Sequence, residues 1–203
     1  MRSNMPAPTD GLLRPNHSRP SSELEDAFDA AGLVAFFKEA GFKMVTAESC
    51  TAGLIASTVA DVPGAGGLLD CAFVTYSPEA KQRCLGVQAS TLEKFNLTSE
   101  TVAREMAIGA LNNSRANLAV SNTGVTDPVD DEVAPGTQCY AWIFVGKGGR
   151  RTVYSETRVF EGDRSEIRLA SARYALSRIR ELFNQTCKDV ISTRGSGPND
   201  PSA

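Results

Sequence analysis

Two runs rich in β-branched and aromatic residues, 137–145 and 151–160, flank Gly146-Lys147-Gly148-Gly149, a pattern that closes into an antiparallel hairpin. The hairpin constrains the fold because the chain before it is built differently. Residues 43–48, 69–76 and 117–121 have strand character. Residues 23–40, 50–60, a segment opening at Pro78, and 99–113 read as helical, with apolar residues at helical spacing in the longer ones. Such alternation gives parallel strands and the hairpin adds antiparallel ones, so the sequence predicts an α/β fold. Its form is a three-layer α/β/α sandwich around a mixed sheet of about five strands. A last helix is predicted from Arg164 to Gln185, with Ile167, Ala170, Tyr174, Leu176, Ile179 and Phe183 turned inward.

With 203 residues, 41% of them hydrophobic and 22% charged, one core can form, and a single domain is expected over 23–188. Residues 1–22 are polar and proline-containing, without the apolar run of a secretory signal. Residues 189–203 carry Gly, Pro, Ser and Asn, and both ends are expected to be disordered. No run reaches the ~18 apolar residues of a membrane span, which points to the cytoplasm. A net charge of -3 without a Lys/Arg stripe argues against nucleic acid as a partner. The five cysteines show no CxxC pairing, and an odd count in such a chain predicts mostly free thiols. The only histidine, His17, lies in the leader, which removes His-base triads and His-ligated zinc from the domain's chemistry.

Two strand-to-helix junctions remain as sources of chemistry. In Thr46-Ala47-Glu48-Ser49-Cys50-Thr51-Ala52-Gly53, a strand ends on small polar residues just before a helix, presenting Ser49 and backbone N–H groups at the carboxyl edge of a sheet. The same residues would serve equally as a cap and tight turn. In Val74-Thr75-Tyr76-Ser77-Pro78-Glu79-Ala80-Lys81, Tyr76 and Lys81 can approach the same edge. A lysine can act as base for a serine once burial or a neighbouring cation lowers its pKa, and Tyr76 could relay a proton or hold the amine. Taken alone, Lys81 reads as a solvated helix lysine.

Five separated blocks carry a likeness to a known family. They are Thr46-Ala47-Glu48-Ser49-Cys50-Thr51 with Gly53, Phe73-Val74-Thr75-Tyr76-Ser77 with Glu79-Ala80-Lys81, Glu105-Met106-Ala107-Ile108-Gly109-Ala110-Leu111, Gly124, and Phe160 with Gly162-Asp163-Arg164. In these blocks, in order across residues 34–183, the chain resembles the C-terminal domain family of the competence-damage-inducible protein CinA, which includes nicotinamide-nucleotide amidohydrolases. The resemblance implies a compact α/β/α fold and hydrolysis of nicotinamide mononucleotide to nicotinate mononucleotide and ammonia. The implied partners are that pyridine nucleotide and other copies of the chain, with no metal or organic cofactor. By position, Ser49 matches the nucleophile, and Tyr76 and Lys81 the residues that activate it. Cys50, Thr51, Gly53, Gly124, Gly136 and Thr137 match substrate-binding positions. Arg164, at the start of the last helix, is placed to hold the phosphate, with Arg168 a weaker candidate. Arg164 reads as readily as a surface arginine paired with Asp163 or Glu166.

The resemblance also predicts glycine where this chain has Ala52. It predicts a glycine-rich loop where the chain reads Gly124-Val125-Thr126-Asp127-Pro128-Val129-Asp130-Asp131-Glu132. Asp127 replaces a glycine, and four carboxylates in that loop would repel a phosphate. Three readings therefore stand: a nicotinamide mononucleotide deamidase, a serine-lysine amidase for a less anionic amide, and a catalytically silent binding or regulatory paralogue. A Cys50 nucleophile is weaker, because only Lys81 could generate its thiolate.

Overall fold

The computed structural model describes residues 28–128 and 132–194. The leader, residues 23–27 of the first predicted helix, Asp130, Asp131 and the tail beyond residue 194 lie outside the described residues, as does the Cys187 side chain.

Helix α1 (Ala30–Ala40) starts where the Asp29 carboxylate accepts the Gly32 N–H, and ends at Gly41, whose φ of 67° suits a residue without a Cβ. Strand β1 (Met44–Glu48) follows, buried at every position, as befits a strand with neighbours on both edges and helices on both faces. Helix α2 (Leu54–Ala60) then leads to β2 (Leu69–Val74). Helix α3 (Pro78–Leu85) is capped by the Ser77 hydroxyl, with Pro78 in its first turn and Gly86 closing it. Next come α4 (Ala89–Phe95), α5 (Glu100–Asn112) capped by Ser99, and β3 (Leu118–Gly124). The hairpin of β4 (Thr137–Val145) and β5 (Arg151–Val159) precedes α6 (Arg164–Arg194).

The strands lie in the order β2-β1-β3-β4-β5. β1 pairs in parallel with both β2 and β3, while β4 runs antiparallel to β3 and β5, so the sheet is mixed as expected. One face packs Phe37, Ile55, Leu176 and Ile179 of α1, α2 and α6 against Met44 and Trp142. The other packs Leu85, Val102 and Met106 of α3 and α5 against Val45 and Ala119. The three-layer α/β/α arrangement follows from these two cores. Chain order places β2 and β3 on opposite sides of β1, so a crevice opens at the carboxyl end of β1, where ligands of open α/β sheets bind.

Several boundaries differ from the sequence expectation. β3 runs on through Asn122, Thr123 and Gly124, because these polar residues pair with Tyr140, Cys139 and Gln138 of β4 and are held in the sheet by the ladder. β2 stops at Val74, where its pairing with Glu48 ends. Helix α4 was not anticipated, since Ala-Ser-Thr-Leu-Glu-Lys-Phe spans two turns with little apolar periodicity. Helix α6 passes the predicted end at Gln185 because the first glycine after it is Gly195.

Candidate active site

Three strand ends meet at the crevice. β1 delivers Ser49, β2 is followed by Thr75 and Tyr76, and β3 ends on Gly124. With α3 carrying Lys81 and the start of α6 carrying Arg164, they enclose a cavity of about 260 Å³ lined also by Cys50, Leu97, Thr126 and Asp127. That volume lies near the lower end of ligand sites, roughly 300 to 1,000 Å³.

The centre of the site is a lysine-serine contact. Lys81 Nζ donates to Ser49 Oγ at 2.8 Å, to the Thr75 carbonyl at 2.7 Å and to the Tyr76 carbonyl at 3.3 Å. Lys81 is 1% exposed, and among the described residues its hydrogen-bond partners are all neutral oxygens. Burial without a counter-charge penalises the ammonium, lowering the Lys81 pKa to about 8. The neutral amine would accept at the same 2.8 Å, with the Ser49 hydroxyl as donor.

The turn after β1 is held by partners that sequence reading did not assign. Glu48, fully buried, accepts from Thr51 Oγ1 and from the N–H groups of Gly53, Ile55 and Ala56, filling the amino end of α2. Asn122 on β3 accepts the Ser49 N–H through its carbonyl and the Thr51 N–H through its side chain. Its amide donates in turn to Gln138 and Ser171. From α6, Arg168 donates to the carbonyls of Cys50 and Thr51. Ala52 adopts φ 49°, the left-handed region where glycine costs nothing and alanine is strained. Of the N–H groups from Ser49 to Gly53, only that of Cys50 lacks an acceptor among the described residues.

The remaining predicted site residues divide between the cavity and its frame. Cys50, Gly124 and Arg164 line the cavity with Ser49, Tyr76 and Lys81. Thr51 and Gly53 are turned to Glu48 and Asn122 and serve the turn itself. Gly136 has φ 81° and lies where a Cβ would come 1.9 Å from the Phe160 carbonyl, so glycine lets the two open ends of the hairpin approach, and Thr137 Oγ1 donates to the Ala134 carbonyl. Tyr76 gives Lys81 its backbone carbonyl, whereas its hydroxyl accepts from Arg164 at 2.7 Å. Arg164 also donates to Thr126 Oγ1 at 2.7 Å and to Asp127 Oδ2 at 2.6 Å. The Cys50 thiol is pushed up by burial, and its sulfur accepts from Gln138 at 3.3 Å.

Residues 28–183 match the CinA C-terminal domain family. The chain belongs to that family. The nicotinamide-nucleotide amidohydrolase PncC of Enterobacter agglomerans is 42% identical to this CinA domain over 151 residues, covering 73% of this chain and 90% of that one. The protein of the same name from Escherichia coli K12 is 38% identical over 151 residues, 73% and 88% of the two chains. A CinA-like protein of Chloroherpeton thalassium is 38% identical over 149 residues, 72% of this chain, but those residues make up only 35% of its length. This CinA domain thus spans about a third of the longer CinA proteins it matches. Among solved structures, the competence/damage inducible protein CihA from Agrobacterium tumefaciens superposes with a TM-score of 0.68 at 37% identity, covering 79% of this chain and 93% of that one. A CinA superfamily protein from Escherichia coli superposes at 0.71 with 29% identity, covering 78% and 91%. No helix among the described residues is long and apolar enough to cross a membrane.

Proposed function

We propose that this CinA domain is a serine-lysine amidohydrolase that cleaves the carboxamide of a nicotinamide nucleotide. The observation that carries the reading is the 2.8 Å contact between Ser49 Oγ and Lys81 Nζ, made by a lysine almost wholly removed from water. The PncC relatives support the substrate, since their name specifies a nicotinamide nucleotide and an amide hydrolysis.

In the first half-reaction, neutral Lys81 takes the Ser49 proton as Oγ attacks the carboxamide carbon. The resulting oxyanion would draw on the Cys50 N–H, a donor of a kind whose removal commonly costs ~10²- to 10³-fold in rate. Lys81 then returns the proton to the departing nitrogen, the C–N bond breaks, and ammonia leaves an ester on Ser49. Water attacks that ester with Lys81 again as base, freeing a carboxylate product and restoring the serine hydroxyl. Tyr76 supports the base through its backbone carbonyl and steadies Arg164 through its hydroxyl. Lys81 contacts Ser49 Oγ and makes no such bond to Cys50, whose raised thiol pKa favours the unreactive form, so serine is the nucleophile of choice.

The test is ammonia release from nicotinamide mononucleotide and related pyridine amides by the purified chain and by Ser49→Ala. Wild type should release ammonia from at least one of these amides, and Ser49→Ala should lose about 10³-fold or more with an unchanged circular dichroism spectrum. Near-normal turnover by Ser49→Ala would overturn the assignment.

A further inference from the structure

We propose that Asp127 is a selectivity residue: an internal carboxylate seated on Arg164 that turns this site away from phosphorylated substrates and toward the corresponding nicotinamide nucleoside. The inference rests on the serine-lysine amidohydrolase reading of the same cavity and replaces the nucleotide in that reading by the nucleoside.

Among the described residues lining the cavity there are two cations, Lys81 and Arg164. Lys81 is committed to Ser49, so Arg164 is the cation left to meet a substrate anion. Both terminal nitrogens of Arg164 are already engaged, one by Thr126 and Asp127, the other by the Tyr76 hydroxyl. Asp127 Oδ2 is held from two directions, accepting from Arg164 at 2.6 Å and from Thr126 Oγ1 at 2.8 Å. These bonds, the Thr126 hydroxyl first, keep the Asp127 carboxyl below its ordinary pKa and hence charged near neutrality. A phosphate approaching Arg164 meets a guanidinium whose charge is neutralised and a carboxylate that repels it. Both effects act in the same direction. A nicotinamide nucleoside has no phosphate to place there and carries a cationic ring, so Asp127 opposes it in neither way. The pair is half exposed, with side-chain exposures of 52% and 61%, so it tunes preference between substrates and adds little to folding.

Two measurements on the full chain separate this proposal from the reading beneath it. In the first, nicotinamide mononucleotide binding is titrated calorimetrically into Ser49→Ala and into Ser49→Ala with Asp127→Asn, neither of which need turn over. The neutral amide at 127 should tighten nucleotide binding about tenfold or more, with the gain shrinking as salt rises. Equal affinities would overturn the proposal. In the second, kcat/KM for nicotinamide riboside and nicotinamide mononucleotide is compared in wild type and Asp127→Asn. Wild type should favour the riboside, and the substitution should shift the ratio toward the nucleotide by about tenfold or more. A wild type that favours the nucleotide, or a ratio unmoved by the substitution, would also overturn it. Tighter nucleotide binding without ammonia from either compound would sustain the role of Asp127 and refute the amidohydrolase reading alone.

Discussion

Replacing Lys81 by methionine isolates the cost of burying an amine beside the nucleophile. Burial lowers the Lys81 pKa from 10.5 to about 8. Between those two values the unfolded chain holds a proton that the folded chain has released. The unfolded state therefore binds more protons, and stability rises with pH across that window. Below it the folded state must carry a buried ammonium and the penalty is complete, whereas above it both states are neutral and the penalty is gone. Between pH 7 and pH 10 the gain works out at about 2.5 kcal/mol, with one pKa unit worth about 1.4 kcal/mol. Methionine keeps the unbranched stem and removes the amine, so the wild-type stability measured relative to Lys81→Met should climb by that amount over the same range. Urea unfolding at each pH, with a shared slope for the two proteins, reads the difference directly. Parallel stability curves, or a difference that falls as pH rises, would refute the argument. The same titration sets the rate: below pH 8, kcat/KM should rise about tenfold per pH unit as neutral Lys81 accumulates, then level off.

Two further substitutions probe the turn that presents Ser49. Ala52→Gly relieves a left-handed backbone costing ~1–2 kcal/mol, against ~0.4–1 kcal/mol of added freedom in the unfolded chain. Because Ala52 is exposed and loses little packing, the melting temperature should rise by about 2–4 °C, and a fall would show that its methyl is needed. Glu48→Gln sets an amide nitrogen among groups that are all donors, so unfolding free energy should drop by about 2–3 kcal/mol in urea titration. A loss under about 0.5 kcal/mol would mean that the carboxylate is not what closes α2.

Periodicity and turn chemistry were enough to read the layers, the hairpin and the two strand-to-helix junctions, because each depends on neighbours within a few residues. Side chains acting across the fold were harder to read. The predicted strand 117–121 stops just short of Asn122, since a polar residue after Leu118-Ala119-Val120-Ser121 resembles a strand end. In the structure Asn122 lies inside β3 and fixes the turn 71 residues earlier in the chain. Glu48 stood in the quoted motif without a role, because its partners are N–H groups that converge only when the chain folds back into α2. Arg168 was weighed only as a weak anion donor, yet its guanidinium holds two carbonyls of the nucleophile turn. Tyr76 and Lys81 were read as partners through the tyrosine side chain. Their contact runs through the Tyr76 carbonyl, an atom every residue type supplies, and the hydroxyl is given to Arg164 instead.

The placement of buried charge also explains how a lysine can serve where the domain has no histidine. Glu48 precedes Ser49 in the chain and is fully buried, but its carboxylate is bonded to the α2 turn on one side of the sheet, whereas Lys81 belongs to α3 on the other. A carboxylate facing Lys81 would form an ion pair that favours the ammonium and undoes the lowering that burial produces. The buried carboxylate of Glu48 has four donors of its own, three of them N–H groups at the amino end of α2. Among the described residues Lys81 has only neutral oxygens as partners, which can hold its amine in place without contributing a compensating negative charge. A base near pKa 8 thus follows from two burials kept electrostatically apart, one satisfied by a helix end and the other left unpaired beside the serine it can deprotonate.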